Sequence, residues 1–415
     1  MVVKLADNIF SPIGKDTAEN YQNILCGKSA LRLYENKWDI PEPFMASLFD
    51  TDFDSDFDSD FDLGVGSGFS SGSGFAEPAL ARQIKQAFLH SLTRSLSFGS
   101  ELTRFEKACI ISAADAIGTS GIEPESDRVI FILSTTKGNI ELLDSPTPLH
   151  HSRLPLGSSA KAIASYFGNK NEPIVVNNAC VSGGCAQLTA KRLLDSERYD
   201  YAVVIGCEVM SKFIISGFLS LKALSPYRCQ PFDMDRSGLN VGEAAATVVY
   251  GRKNIAVGGN WILEDGVSRN DAYHISSPSK TGEGAHKCLF HLLANNGISK
   301  EELAVINMHG TGTIYNDEME AVAIDRAGLN DIPANSYKGI YGHTMGAAGV
   351  LESIITQRAL DDGILLPTYG FKELGVSKNI LISSNTIKTD KRAFIKMLSG
   401  FGGCNVALSF RKVKS

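Results

Sequence analysis

The sequence predicts an α/β fold in which two halves of similar layout each form a sheet rich in parallel strands. Its strands, such as 128–133 and 201–206, are continuous apolar runs, which is typical of parallel strands buried on both faces. Helical patterns alternate with these strands, and this alternation indicates a sheet covered by helices on both sides. After Asn254 the order of elements begins again, so we expect an internal duplication, although the residues of the two halves do not visibly match.

The first half opens with a short strand and a turn over residues 2–14. Asp16 and Glu19 have the spacing of a capping box, which predicts a helix that ends at Gly27. The later elements of this half follow from the period of the apolar residues. They are helices at 79–91, 102–117 and 157–167, strands at 128–133, 174–176 and 201–206, and a last apolar run at 242–250.

The second half repeats this alternation in a shorter span. Its predicted elements are a strand after Asn254, a helix at 284–296, a strand at 303–308, a helix from Asp317, and a pair of strands at 393–398 and 406–410. We therefore divide the chain into an N-terminal half, residues 1–252, and a C-terminal half, residues 253–415.

Residues 50–75 interrupt the first half with Asp-Phe-Asp-Ser repeats followed by a run of glycine and serine. Alternating aspartates also occur in calcium-binding loops, but the glycine and the closing glutamate of an EF-hand are missing here. The composition predicts a solvated, mobile insertion on the surface.

Composition excludes several classes of function. The 415 residues are 43% hydrophobic, which supports a large core, and the formal charge of −6 argues against nucleic acid as the main ligand. No apolar run reaches the roughly 18 residues that span a bilayer, and the first residues lack a signal-peptide pattern. The eight cysteines have no metal-ligand spacing. We therefore expect a cytoplasmic protein with reduced cysteines and with neither a bound metal nor a membrane span.

Cys180 lies at the junction between an apolar strand and an uncharged helical segment. A helix N-terminus favours a thiolate over a thiol, so this position predicts a nucleophilic cysteine. Small neighbours, Ala179, Gly183 and Gly184, leave room for a substrate. The alternative interpretation is a cysteine that only fills the core.

Two histidine segments of the second half favour the catalytic interpretation. His309 follows a buried strand and is flanked by glycines and threonines, where ligands bind in α/β folds. His343 precedes a tightly packed helix, whose dipole we expect to keep the imidazole neutral. With Lys338 and the glycine loop 399–405, these residues suit carbon–carbon bond formation on thioesters, because a thiolate accepts an acyl group and neutral histidines stabilise an enolate.

These segments together resemble the β-ketoacyl-acyl carrier protein synthases of the elongating type, in the thiolase superfamily. The resemblance covers residues 2–412 except for the insertion, and it implies two duplicated α/β halves in a five-layered αβαβα architecture. The matching segments are 178–183; 228–238 with Gly242 and Glu243; 271–274 with Pro278; 309–313 with Asn316, Asp317 and Glu320; Lys338 with Gly342 and His343; and 400–403 with Asn405.

The resemblance also implies a role for each site residue. Cys180 would carry the acyl group, with an oxyanion hole formed by its own N–H group and that of Phe401, whose ring would gate the channel. His309 and His343 would bind the malonyl thioester and promote decarboxylation. Lys338 and Glu352 would form an ion pair that either orients the site or only holds the fold. Thr311, Thr313 and Gly402 would contact the phosphopantetheine arm. Asp317 and Glu320 would brace the following helix.

The reaction implied is the decarboxylative Claisen condensation of malonyl-acyl carrier protein with the acyl group, in fatty acid or polyketide elongation. Its partners would be an acyl carrier protein, which supplies the phosphopantetheine, and a second subunit in a homodimer or in a heterodimer with a related synthase or chain-length factor. No other cofactor is implied. Departures such as Asn307, Met308 and Leu239 resemble specialised pathways, for example aryl polyene synthesis. A chain-length-factor-like subunit and a thiolase are the alternatives.

Overall fold

The computed structural model describes residues 1–50, 102–144, 151–256, 258–295 and 298–413 of the chain. The predicted insertion beyond Asp50 and the predicted helix at 79–91 lie outside these residues. The strands are β1 (Val2–Phe10), β2 (Leu31–Tyr34), β3 (Phe44–Ser47), β4 (Val129–Ser134), β5 (Ile174–Val176), β6 (Tyr201–Glu208), β7 (Val241–Gly242), β8 (Ala244–Arg252), β9 (Trp261–Asn270), β10 (Leu303–Asn307), β11 (Ala334–Asn335), β12 (Ile364–Leu365), β13 (Ile387–Lys388), β14 (Ala393–Gly400) and β15 (Cys404–Lys412).

Nine α-helices connect the strands in the described part of the chain, and short 3₁₀ turns lie between them. They are α1 (Thr17–Leu25), α2 (Arg104–Ser120), α3 (Leu156–Tyr166), α4 (Ser182–Asp195), α5 (Lys212–Ser220), α6 (Glu283–Asn295), α7 (Ile314–Arg326), α8 (Lys338–Tyr341) and α9 (Ala348–Asp361). None of the helices in the described residues combines the length and the apolar composition needed to span a bilayer.

Local sequence signals explain where several helices begin. Asp16 accepts the N–H group of Glu19 at 2.8 Å, so the predicted cap of α1 is confirmed. The helix predicted from Asp317 begins at Ile314 instead, because Thr313 is the last residue with extended backbone. Asp317 therefore lies in the first turn of α7 and is free to bind groups outside the helix.

The main sheet has ten strands in the order β11-β10-β14-β15-β9-β1-β8-β6-β4-β5. In this order the five strands of the second half come first, from β11 to β9, and the five strands of the first half follow, from β1 to β5. The two groups meet where Val2–Lys4 of β1 pairs antiparallel with Trp261–Leu263 of β9.

The two groups of five strands, one from each half of the chain, have the same topology. Strands β1, β4, β5, β6 and β8 correspond to β9, β10, β11, β14 and β15, because both sets occur in the same spatial order. The pairings agree as well: β4 is parallel to β5 and β6 as β10 is to β11 and β14, and the other pairs are antiparallel. The predicted duplication is therefore confirmed at the level of topology.

Helices α4 and α9 occupy the centre of the molecule, where they contact each other and strands of both halves. Helices α2 and α3 cover the outer face of the first half, and α6 covers that of the second half together with α7. The crossing of α4 and α9 depends on glycine, because a Cβ atom on Gly183 would lie 2.9 Å from the carbonyl oxygen of Gly346. This crossing brings the segments that precede the two helices, which contain Cys180 and His343, to one place.

Candidate active site

Cys180 lies in the tight turn between β5 and α4. Ala179 has a φ of +45°, an uncommon value for a residue with a side chain. The N–H groups of Val181 and Ser182 donate to the carbonyl oxygens of Asn178 and Ala179, each at 3.2 Å. The turn thus holds the cysteine in one orientation, with its side chain buried and lining a cavity of about 350 Å³.

The expectation that the helix N-terminus makes Cys180 a thiolate is wrong for the free protein. Burial raises the pKa of the Cys180 thiol to about 11, and this effect outweighs the opposing effects of Lys338, Lys137 and the N–H group of Phe401. The first two N–H groups after the cysteine donate to the turn and are not directed at the sulfur. The residue is therefore a thiol at neutral pH and can act as a nucleophile only after it loses its proton.

His309 begins the loop that follows β10, and two carboxylates of α7 hold this loop. Glu320 accepts the N–H groups of His309 and Gly310, both at 2.7 Å. Asp317 accepts those of Thr311 and Gly312 at 3.0 and 3.1 Å. Both carboxylates are fully buried, and burial raises the pKa of Glu320 to about 7. The two residues were expected to brace the helix, and they brace the histidine loop against it.

His343 follows Gly342, whose φ of +71° turns the chain toward α9. The backbone N–H group of Met345 donates to Nδ1 of His343 at 3.2 Å. Because Nδ1 accepts this bond, the proton of a neutral ring lies on Nε2. That Nε2 atom finds no hydrogen-bond partner among the described residues, although the side chain lines the cavity beside Cys180.

Both histidines are neutral. Burial lowers the pKa of His309 and that of His343 well below the ordinary value, and Lys338 is the next largest cause for each, with a further contribution from Lys396. Neutrality was expected for His343 from a helix dipole, but α9 begins only at Ala348. Burial and neighbouring ammonium groups are the main causes.

The structure brings the three predicted reacting groups together from distant parts of the chain. Ligand atoms of Cys180, His309 and His343 all lie within 4.8 Å of one another. The two imidazole rings meet edge to face with centroids 4.9 Å apart. Among the residues that the structure describes, these three form the only group with donors close enough to hold a metal ion, and the nearby ammonium groups oppose a divalent cation there.

Lys338 and Glu352 form the predicted ion pair, with Nζ and Oε1 2.8 Å apart, and both side chains are buried. Lys338 also donates to the carbonyl oxygen of His309 at 2.5 Å. A second lysine, Lys396, was not among the residues predicted for the site. It contacts the other oxygen of Glu352 and donates to the carbonyl oxygen of Met308 at 3.2 Å. A lysine within the apolar strand β14 is the signal that could have revealed it.

The glycine loop after β14 closes the site from the other side. The backbone N–H group of Phe401 faces the Cys180 thiol and opposes the rise in its pKa. Its ring is partly exposed and lies 6.0 Å from that of Phe218, between centroids. Gly402, with a φ of +85°, lines the same cavity.

Thr311 and Thr313 line the same cavity as the two histidines. Their hydroxyl groups share a hydrogen bond of 2.8 Å. His274 lines the cavity as well. Its Nδ1 accepts two backbone N–H groups at 3.1 Å, from Ser276 and Ser277, so a neutral ring carries its proton on Nε2.

Comparison with known proteins agrees with this arrangement. The model of the beta-ketoacyl synthase N-terminal domain matches residues 88–256, and that of the C-terminal domain matches residues 261–372. Nodulation protein E of Rhizobium leguminosarum bv. trifolii is 29% identical over 285 residues, which cover 66% of this chain and 70% of the relative. The 3-oxoacyl-[acyl-carrier-protein] synthase 2 of Rhizobium meliloti (strain 1021) is 29% identical over 338 residues, 73% of this chain and 79% of the relative.

A solved structure with the same fold is the ketosynthase ApeO in complex with its chain length factor ApeC from Xenorhabdus doucetiae. The alignment has a TM-score of 0.78 and 22% sequence identity, and it covers 99% of this chain and 98% of the other. At this identity the likeness supports the fold alone, and it agrees with the duplicated thiolase-like architecture expected from the sequence.

Proposed function

The chain belongs to the beta-ketoacyl synthase family, and on that premise we propose that Cys180, His309 and His343 carry out a decarboxylative condensation between malonyl and acyl thioesters. The observation that carries this assignment is the convergence of one thiol and two neutral imidazoles within 4.8 Å. A thiol serves as the acyl acceptor, and neutral imidazoles serve as hydrogen-bond donors to a developing enolate.

In the first half-reaction the Cys180 sulfur attacks the carbonyl carbon of an acyl thioester on an acyl carrier protein. A carbon–sulfur bond forms, the bond to the carrier sulfur breaks, and the thiol proton passes to the departing carrier thiolate. The N–H groups of Cys180 and Phe401 stabilise the oxyanion of the intermediate. The N–H group of Phe401 supports this role, since it lowers the pKa of the Cys180 thiol and therefore lies near the reacting sulfur.

In the second half-reaction a malonyl thioester occupies the cavity with its carbonyl oxygen at His309 and His343. The Nε2–H group of His343 is free to donate to that oxygen. Loss of carbon dioxide leaves its electron pair as the enolate, which attacks the acyl carbon on Cys180. The new carbon–carbon bond forms as the bond to sulfur breaks, and the resulting thiolate regains a proton.

The surrounding residues orient these groups. Lys338, held by Glu352, fixes the backbone of His309 and supplies positive charge near both imidazoles. We assign the contacts with the phosphopantetheine arm to Thr311, Thr313 and Gly402, because all three line the cavity that contains Cys180. The carrier protein brings this arm, so the reaction needs no further cofactor.

An acyl carrier protein is the partner that this chemistry requires, and the name of the Rhizobium meliloti synthase mentions one. We further propose a dimer, formed either with a second copy or with a chain-length factor, as in the ApeO and ApeC complex. The division into halves at residues 252 and 253 agrees with the topology of the sheet. All eight cysteines are free thiols, which supports a reducing, cytoplasmic compartment.

Two segments of the chain bear on the identity of the acyl primer. The Thr135–Gly138 loop and the Asn307–Met308 pair depart from the pattern of ordinary fatty acid elongation, so we propose a polyenoyl or polyketide-type primer. Incubation with malonyl carrier protein and either saturated or aryl-polyenoyl primers tests this. Preference for saturated chains would assign the protein to fatty acid elongation instead.

A thiolase is the second candidate, since Cys404 lines the same cavity as Cys180 and donates to Asn178 at 3.0 Å. A chain-length factor lacks the nucleophile, whereas Cys180 is present. The test is formation of a β-ketoacyl product, measured by mass spectrometry with malonyl or acetyl donors. We expect product from malonyl donors, none in Cys180→Ser, and normal turnover in the matched variant Cys185→Ser. Turnover of acetyl donors would favour the thiolase.

A further inference from the structure

We propose that Lys396 is a positioning residue for the condensation, which holds the backbone before His309 and shares Glu352 with Lys338 as a second buried cation. This inference rests on the function proposed above. Lys396 belongs to none of the segments that carry the family resemblance.

The contacts of Lys396 mirror those of Lys338. The side chain of Lys396 is fully buried, and its Nζ donates to the carbonyl oxygen of Met308 at 3.2 Å. The Nζ of Lys338 donates to the next carbonyl oxygen along the chain, that of His309, at 2.5 Å. Each ammonium group also contacts one oxygen of Glu352. Two successive carbonyl groups are thus held by two ammonium groups that a single carboxylate joins.

This arrangement places unbalanced charge inside the protein. Two ammonium groups share one carboxylate, so the three side chains carry a net charge of +1 when all are ionised. Burying charge is costly unless it is fully paired, and simple pairing of Glu352 requires only one lysine. The excess cation lies beside the two imidazoles, where it disfavours protonation of either ring. Lys396 contributes to the lowered pKa of both histidines.

Other ionisable groups face the same cluster. Burial lowers the pKa of Lys396, while Glu352 raises it and Lys338 lowers it. Glu320 on α7 faces Lys396 as well and supplies negative charge in its ionised form. Tyr337 and Tyr341 face Glu352, and burial raises the pKa of both, so they stay neutral. Neither tyrosine therefore adds negative charge to the cluster near neutral pH.

The test is the pH dependence of condensation in Lys396→Met and Lys396→Gln. Both substitutions remove the charge, while glutamine can still donate to the carbonyl oxygen of Met308. We expect the acid limb of the kcat profile to move up by about one pH unit in both variants, because each imidazole then protonates more readily. An acid limb that stays unchanged in both variants would overturn the proposal, because the buried charge of Lys396 would then have no effect on the histidines.

Lys391 provides a matched control. It donates to the carbonyl oxygen of Leu303 at 3.0 Å, at the opposite end of β10 from His309. Lys391→Met removes the same kind of bond from the same strand, and we expect its acid limb to coincide with that of the unaltered protein. Thermal unfolding checks that each variant is folded. If neither Lys396 variant folds, the residue is structural and the proposal fails.

Failure of this proposal can be distinguished from failure of the proposed function. If the unaltered protein forms no condensation product, the function is wrong, but the charge effect remains measurable. The ¹³Cε1 signals of His309 and His343 then report their protonation by NMR. We expect both rings to protonate at higher pH in Lys396→Gln than in the unaltered protein and in Lys391→Met. Identical titrations would overturn the role of Lys396.

Discussion

The backbone N–H group of Met345 donates to Nδ1 of His343, and this one bond of 3.2 Å determines what the histidine can do. With Nδ1 occupied as an acceptor, a neutral ring presents Nε2–H to the cavity that Cys180 also lines. We therefore expect His343 to donate to a substrate oxygen and not to act as a base for the thiol. This assignment separates the two half-reactions and makes them independently testable.

Removal of His343 should abolish condensation while acylation of Cys180 continues. We expect His343→Ala to lower the rate of malonyl decarboxylation by about 10²–10³-fold, the usual loss of one donor to a developing oxyanion. Carbon dioxide release and intact mass spectrometry of the acyl enzyme measure the two steps. His151→Ala is the control, since this histidine is exposed. An equal loss of acylation in His343→Ala would contradict the assignment.

Alkylation of Cys180 should be slow at neutral pH in the free protein. Burial raises the pKa of its thiol to about 11. Below that pKa, the reactive thiolate fraction therefore increases about tenfold for each unit by which the pH is raised. We expect the iodoacetamide rate to increase steadily up to pH 10 without a plateau. Peptide mass spectrometry reports the rate at this site, and Cys185→Ser removes the cysteine in the next helical turn as a competitor. A plateau near pH 7 would mean a stabilised thiolate.

Protonation of Glu320 should affect stability between about pH 4.5 and 7. Its folded pKa is raised to about 7 by burial, so its stabilising effect is greatest at low pH and is lost as the pH rises through 7. Relative to Glu320→Gln, the unaltered protein should lose about 2–3 kcal/mol of unfolding free energy across this range. Denaturant unfolding at several pH values measures the difference.

The neighbouring residue Glu318 serves as the control for that experiment. It lies on the same helix, α7, but its carboxylate contacts Ser377 at the surface. Glu318→Gln should follow the pH dependence of the unaltered protein. Parallel curves for Glu320→Gln and the unaltered protein would show that the Glu320 carboxylate is ionised throughout this range.

The parts of the site that the sequence predicted share a local signal. Cys180 and His309 each follow a strand, His343 follows the short helix α8, and all three lie in turns of small residues. Their position and their exposure to a ligand therefore follow from nearby sequence. Lys396 had no such signal, because a single lysine in an apolar strand is also compatible with an exposed edge. Its role depends on α9, which supplies Glu352 from a different part of the chain.

The protonation states were harder to predict, because they depend on tertiary burial. The helix N-terminus suggested a thiolate at Cys180, yet the loops of both halves enclose the sulfur, and this desolvation is the largest effect on its pKa. The neutrality of His343 was predicted correctly but for a different reason. Desolvation arises only when the central helices bring the two halves together, which no local pattern encodes.

The contact between the central helices should be sensitive to a single methyl group. A Cβ atom on Gly183 would lie 2.9 Å from the carbonyl oxygen of Gly346 and 3.0 Å from the backbone nitrogen of Gly349. We expect Gly183→Ala to destabilise the protein by about 1–3 kcal/mol and to lower kcat, because α9 and the His343 segment must move away from Cys180.

Gly157→Ala is the matched control for this substitution. Gly157 also lies near the start of a helix, α3, but a Cβ atom there would meet no atom within 4 Å. Alanine has the higher helix propensity, so this variant should be as stable as the unaltered protein or slightly more so, with unchanged kcat. Thermal unfolding and the condensation assay compare the two variants. If Gly183→Ala keeps full activity, then the spacing of α4 and α9 is not what holds His343 against Cys180, and the relation between the duplicated fold and the site would need another explanation.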